Sequence, residues 1–186
     1  MILDSKMILK KSFYARPTLE VAKELLGCIL VREIDGKKLR AVITEVEAYI
    51  GEDDLASHAS KGRTPRTELM FGQAGHAYVY MIYGMYYCLN IITEKKNFPA
   101  AVLIRAVTIE DIEYKKTNGP GKLCRELRIS RNLNGIDMTL GRDIWIEKGL
   151  IEIGEIVANE RIGIDYAKHC KEYPWRFTLK DFVGKK

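Results

Sequence analysis

Four cysteines are spread through 186 residues, at Cys28, Cys88, Cys124 and Cys170, with no Cys-x-x-Cys spacing and no histidine pair beside them. That scatter argues against a zinc site or a disulfide framework and for reduced cysteines in a core, since three of them sit in apolar runs. No apolar run approaches the ~18 residues of a membrane-spanning helix, and Met1 to Lys11 is too polar and lysine-rich for a signal peptide. A cytoplasmic protein without membrane contact is expected. The G-x-x-x-x-G-K-[ST] spacing of a phosphate-binding loop is missing, which disfavours nucleotide triphosphate chemistry. There is no internal repeat, no low-complexity tract and no linker, so residues 1–186 are expected to form a single domain. Neither a metal nor another cofactor is expected.

What is present is an ordinary globular composition, 47% hydrophobic and 30% charged, with a net charge of +5. The length suffices to bury a core without staples. The positive balance tilts toward a polyanionic partner without identifying one.

The densest signal is Tyr78 to Thr93, YVYMIYGMYYCLNIIT, where five of the ten tyrosines fall between Tyr78 and Tyr87. Alternation on both sides of Gly84 predicts two antiparallel strands joined by a turn at Tyr83, Gly84 and Met85. A hairpin tip is normally polar, yet this one carries a tyrosine and a methionine. Three uses fit a rigid apolar tip: packing under another element, a protein interface, or a wedge between stacked bases.

Upstream, LEVAKELLG after Pro17 and Thr18 predicts a helix ending at Gly27. CILVREI predicts a strand, Asp35-Gly36 a hairpin turn and Lys38 to Tyr49 a long second strand. Strict alternation there puts Ile43, Glu45, Glu47 and Tyr49 on one face and Val42, Thr44, Val46 and Ala48 on the apolar other. The two carboxylates are either a solvated face or a cleft lining in which burial tunes a general base. Gly51 to Glu68 reads as a loop with a short helical turn, carrying His58, Lys61, Arg63 and Arg66, the three cations being candidate phosphate contacts.

AAVLIRAVTI is a buried strand interrupted by Arg105, whose charge needs a counter-ion, Glu47 or Glu45, or a ligand. Ile109 to Lys116 reads as a short helix. NGPGKLCRELRIS places a helix N-terminus and Lys122 where a phosphate can be held. DIWIEKG, IEIGEIVANERIGI and PWRFTL predict further strands, Arg161 and Arg176 are candidates to face a polyanion, and Gly184 to Lys186 is expected to fray.

EVEAYIG, the loop with His58 and TPRTE, YVYMIYGMYYCLN, and LIRA followed by NGPGKLC occur in an order and spacing that resemble the alkyladenine (3-methyladenine) DNA glycosylase family of mammalian type. The likeness spans roughly Ser12 to Phe177, with a loop from His58 to Arg66 shorter than in vertebrate members. The resemblance implies an α+β fold, one domain with a curved, mainly antiparallel sheet, a protruding β-hairpin and peripheral helices. It implies a base-excision repair enzyme that flips alkylated or deaminated purines (3-methyladenine, 7-methylguanine, hypoxanthine) out of double-stranded DNA and hydrolyses the N-glycosidic bond. By similarity Glu47 activates the water, Arg105 helps position it, and Tyr49, His58, Tyr80 and Asn90 form the base pocket. Tyr83 is the intercalating wedge, and Met85, Arg66 and Lys122 contact DNA. No lysine nucleophile stands in these motifs, so a monofunctional glycosylase is expected, acting as a monomer and associated with the nucleoid when bound to DNA.

Two other classes remain open on the sequence. One is a non-catalytic module whose tyrosines stack on RNA or single-stranded DNA. The other makes the hairpin a dimer interface with Tyr83 buried in a partner.

Overall fold

Asp35 and Gly36 both take positive φ, 51° and 75°, the sign that a two-residue hairpin turn requires. They join β1 (Ile29–Ile34) to β2 (Lys37–Ile50), the longest strand and the spine of the fold. The computed structural model describes residues 7–149 and 153–185. The expected strand start at Ile151 and the tail at Lys186 lie outside them. Before β1 come two helices, α1 (Lys11–Tyr14) and α2 (Thr18–Leu25). Val21, Ala22 and Leu25 make one buried stripe on α2, at the spacing that turns an amphipathic helix toward a sheet.

After β2 the chain forms β3 (Ala77–Ile82), β4 (Tyr86–Ile92), β5 (Ala100–Ile109), α3 (Pro120–Glu126), β6 (Ile144–Glu147), β7 (Ile156–Asn159) and β8 (Arg176–Leu179). Their order in the sheet is β3-β4-β5-β2-β1-β6, with β8 joined to β2 and β7 to β8. Every pairing between these strands is antiparallel. The result is a curled half-barrel of mixed α+β class in one domain, as the sequence led one to expect. On one edge of β2, β1 pairs along Lys37 to Val42 and β8 along Glu45 to Glu47, so the sheet forks.

The fork coincides with a pair of bulges. Between β2 and β5 the register runs Ile43 with Val107, Glu45 with Ala106 and Val46 with Ile104, which leaves Thr44 extra on β2 and Arg105 extra on β5. Strict alternation therefore fails at Thr44. Ala41 and Ile43 join Val46 and Ala48 in the main core, not Glu45 and Glu47 as a two-residue period predicts.

The main core lies on the face of the sheet covered by α2 and α3, where Leu25, Leu89, Ile104 and Leu123 are fully buried. All four cysteines are free and buried. The opposite face carries a smaller cluster in which Met70 and Phe71 pack on Tyr78, Ile92 and Ala101. One correction concerns the segment before α3. Ile109 to Lys116 is not a helix but a turn followed by a single 3₁₀ turn at Tyr114–Lys116. The helix after Pro120 stops at Glu126, and Arg128 takes φ 47° as the chain turns away.

Candidate active site

A cross-strand row builds the site. Tyr78 pairs with Asn90, Asn90 with Leu103, Leu103 with Glu47 and Glu47 with Arg176, across β3, β4, β5, β2 and β8. Directly paired residues project to the same face, so the row puts a carboxylate, an amide and a phenol on the side away from the main core. A cleft of about 450 Å³ opens there, lined among others by Tyr49, His58, Tyr80, Asn90, Leu103 and Arg105.

Glu47 is 0% exposed and is not itself among the lining residues, but its partners Tyr49, Arg105 and Ile162 are, which places it behind the cleft wall. Its Oε2 accepts the Tyr49 hydroxyl at 2.8 Å, and its Oε1 accepts the Ile162 N–H at 2.8 Å. Arg105 Nη1 pairs with the same Oε1 at 3.3 Å. A carboxylate oxygen has two lone pairs, and among the described residues only the Tyr49 hydroxyl donates a hydrogen bond to Oε2. Arg105 takes its second partner from Glu45, whose Oε1 accepts its Nε–H at 3.0 Å. Both carboxylates named as candidate counter-ions thus serve. Burial works against the arginine's charge, and Glu47 and Glu45 more than offset it, so its pKa lies above the ordinary value. The bulge at Arg105 brings this side chain to both carboxylates.

The aromatic wall comes from the hairpin and from the loop after β2. His58 Nδ1 is 3.0 Å from the Tyr78 hydroxyl, and its ring meets Tyr80 edge-on at 4.5 Å. Burial, with Arg66 and Lys61 nearby, pushes the His58 pKa down to about 4, so the imidazole is neutral at pH 7. Burial likewise holds the Tyr49 and Tyr80 phenols well above their usual pKa. Asn90 is buried and donates from Nδ2 to the Tyr78 carbonyl at 3.1 Å, which fixes which way its amide faces. Arg66 lies on the rim, its guanidinium 5.8 Å from the Tyr80 ring centre.

At the hairpin tip Tyr83 and Gly84 take φ 51° and 67°, and the Met85 N–H donates to the Ile82 carbonyl at 3.2 Å. Tyr83 is 85% exposed and also lines the cleft. Positive φ is unusual for a bulky side chain, so the backbone is strained where the ring is most exposed. Gly121 of α3 leaves room for Tyr86, for a Cβ there would lie 2.9 Å from the Tyr86 ring. The base of the hairpin tip is thereby seated on the helix.

Not every expected residue joins the cleft. Met85 is exposed at the tip, and Lys122 is exposed with its ammonium donating to Lys115 O and Asn118 Oδ1. Neither is among the residues that line the cleft. Arg63 is held by Glu68 and Asn97. Arg161 and Arg176 do not face outward for a polyanion. Arg161 is sealed in a fork with Asp54, with distances of 2.6 and 2.8 Å, and Arg176 binds the Glu160 carbonyl and Glu45. Glu160 stands directly before Arg161 in the sequence, so nothing local pointed to Asp54 as its partner. Sequence reasoning also left Tyr78 unassigned, yet it is the partner of His58, and it missed Cys88, Leu103, Ile162 and Tyr166 on the cleft wall. The Tyr78 role was open to a two-residue count from Tyr80, whereas the rest depend on the tertiary fold. Among the described residues, no helix is long and apolar enough to cross a membrane and no group of three His, Cys, Asp or Glu could hold a metal ion.

The methylpurine-DNA glycosylase (MPG) family matches residues 12–182. Of the curated proteins, one from Alkaliphilus oremlandii, named "Putative 3-methyladenine DNA glycosylase", is 48% identical, over 97% of this chain and 100% of that protein. A protein of the same name from Methanocella arvoryzae is 50% identical over 94% of this chain and 93% of its own length. Another from Clostridium acetobutylicum is 47% identical over 94% and 95%.

Proposed function

The chain belongs to the methylpurine-DNA glycosylase family, and on that premise we propose that it excises alkylated and deaminated purines from double-stranded DNA by a water that Glu47 activates. The activity is that of a DNA glycosylase, a hydrolase of N-glycosyl bonds in base-excision repair, and DNA is its partner. One observation carries the mechanistic reading: a fully buried carboxylate with an open lone pair sits under an aromatic cleft whose rim carries Tyr83.

Extruding a nucleotide costs a few kcal/mol of stacking and pairing, least where a lesion has already weakened them. Tyr83 enters the stack and recovers part of that loss, because an aromatic face replaces the departed base. The base then lies among Tyr49, His58 and Tyr80. A cationic purine such as 3-methyladenine or 7-methylguanine gains from the faces of these rings, and His58, being neutral, does not repel it. Asn90, its amide fixed by Tyr78, reads the purine edge and disfavours the 2-amino group of guanine.

At C1′ the bond to the base nitrogen breaks and its electron pair leaves with the purine, so the sugar passes through an oxocarbenium-like state. Glu47 stabilises that cation and takes a proton from the water whose oxygen adds to C1′. The water donates to the second lone pair of Oε2, beside the Tyr49 hydroxyl, while Arg105 holds Oε1. A neutral lesion such as hypoxanthine also needs a proton delivered to the leaving base. Among the described residues, the strongly basic side chains lining the cleft are Arg66 and Arg105, with no lysine, which supports a monofunctional enzyme with no lysine Schiff base. We further propose that it acts as a monomer, its hairpin reserved for DNA.

The test is release of hypoxanthine and 3-methyladenine from duplex DNA by wild type and Glu47→Gln. Wild type should release both and the variant neither at a comparable rate. Release of neither lesion by wild type would sink the glycosylase reading and leave a non-catalytic DNA-binding module. Equal rates would remove only the role of Glu47.

A further inference from the structure

The segment that gives Glu47 its Ile162 N–H is gripped by a charge pair outside the cleft. The side chains of Arg161 and Asp54 are 0% and 1% exposed. Arg161 Nη1 donates to Asp54 Oδ2 at 2.6 Å and to the Ala48 carbonyl at 2.9 Å. Its Nη2 donates to Asp54 Oδ1 at 2.8 Å and to the Cys170 carbonyl at 3.0 Å. Asp54 is in turn fixed by the Ile50 and Ala56 N–H groups at 3.3 and 3.1 Å. The guanidinium lies 4.7 Å from the Tyr49 ring centre and 5.1 Å from that of Trp175.

A buried ion pair is weak support for stability, because desolvation consumes most of its attraction. What this pair fixes is geometry. Arg161 is bonded to Ala48, the residue between Glu47 and Tyr49. It covers the face of Tyr49, which donates to Oε2, and precedes Ile162, which donates to Oε1. Both oxygens of Glu47 therefore have a donor whose place depends on the same guanidinium.

We propose that Arg161, clamped by Asp54, is a positioning residue for the glycosylase reaction, holding the Tyr49 ring and the Ile162 N–H so that Glu47 keeps one orientation toward the sugar. This rests on the reading of Glu47 as the base. The Arg161 side chain is 0% exposed, and it acts on Glu47 through the Tyr49 hydroxyl and the Ile162 N–H. A small misplacement of a reacting group is enough to cost on the order of 100-fold in rate, so loosening the fork should slow the chemical step while leaving lesion capture intact.

The experiment is single-turnover release of 7-methylguanine, a labile cationic base, from duplex DNA across a range of enzyme concentrations. The proteins are wild type, Arg161→Lys, Asp54→Asn, Glu47→Gln, and each of the first two substitutions combined with Glu47→Gln. Arg161→Lys and the near-isosteric Asp54→Asn should each lower the maximal rate on the order of 10- to 100-fold, with the half-saturating concentration within about threefold of wild type. In the Glu47→Gln background neither should slow release by more than about twofold, since groups acting through one residue are not additive. Equal slowing in both backgrounds, or a loss carried by half-saturation, would make the pair merely structural, and an unchanged rate in folded Asp54→Asn would do the same. If Arg161→Lys does not fold, Asp54→Asn decides. If Glu47→Gln matches wild type, it is the base assignment that has failed, and the positioning role falls with it.

Discussion

At the hairpin tip, Tyr83, Met85 and Tyr86 stand exposed in water on a backbone with two successive positive φ angles. At the floor of the cleft, Glu47 is shut away from water with Arg105, and Asp54 with Arg161 beyond it. The first region shows apolar side chains to solvent and the second takes charge out of it. Each departs from the ordinary partition of a globular protein. The tip is seated at its base, where Tyr86 lies on Gly121 of α3, yet the Tyr83 ring stands in water, whereas each of these buried charges meets an opposite charge. On the proposed reading the tip is completed by DNA, and the floor is complete without it.

That contrast breaks first at Glu47. Glu47→Gln should reduce base release by roughly 10²- to 10⁴-fold, the range for losing a general base, as read by single-turnover excision. The protein should still fold, because the Tyr49 hydroxyl can turn to accept from the new amide. A variant that released bases normally would make the floor a structural charge cluster.

The tip responds the opposite way. Tyr83→Asn should weaken binding to a lesion in duplex DNA by about 1–3 kcal/mol, the value of one stacked aromatic, and should matter far less for a lesion in a single strand. Its thermal midpoint should stay level or rise, since asparagine tolerates positive φ better than tyrosine. Comparable loss on single and double strands would count against intercalation. A falling midpoint would mean the ring also packs within the fold.

Gly121→Ala sharpens the comparison by moving the tip without touching it. The added methyl meets the Tyr86 ring at 2.9 Å, so the hairpin must shift, at a cost of about 1–3 kcal/mol for overpacking. Duplex-lesion affinity should fall by less than in Tyr83→Asn, and excision from a single strand should be unaffected. An unchanged duplex affinity would show that the hairpin's seat on α3 does not matter.

The smallest effect belongs to His58. Its pKa in the fold, about 4, is below the free value of 6.5 through burial and then the nearby Arg66 and Lys61. The folded state then binds fewer protons than the unfolded chain between those values, so its stabilising contribution is complete above pH 6.5 and is lost as pH falls toward 4. An imidazole NMR titration should give a midpoint near 4, and Arg66→Gln should raise it. A midpoint near 6.5 would mean the aromatic wall is open to water.

Much of the hairpin was legible in the sequence because Gly84 is local punctuation and the alternation around it is uninterrupted. The floor was legible only in part. Glu47 and Arg105 stood out as charges among apolar neighbours, and the need for counter-charge linked them correctly. A two-residue period cannot foresee a bulge, however, so Ile43 was expected on the wrong face. Arg161 offered no local cue, as Asp54 lies over one hundred residues away in the chain and both look like surface charges. The helix expected from Ile109 to Lys116 failed for a related reason. Those residues leave the end of β5, and pairing of Ile109 with Ile112 turns the chain before a helix can start.

The two bulges cancel each other. Thr44 and Arg105 are each one residue in excess, offset by a single pair, so the ladder between β2 and β5 is in phase on both sides of them. A deletion at either position alone would throw half the sheet out of phase. A matched deletion of both would leave every remaining pair in its place, and the core residues with them, while removing the arginine that braces Glu47. The sheet would keep its register and Glu47 would lose its counter-charge, so geometry and electrostatics are separable at this one point of the fold.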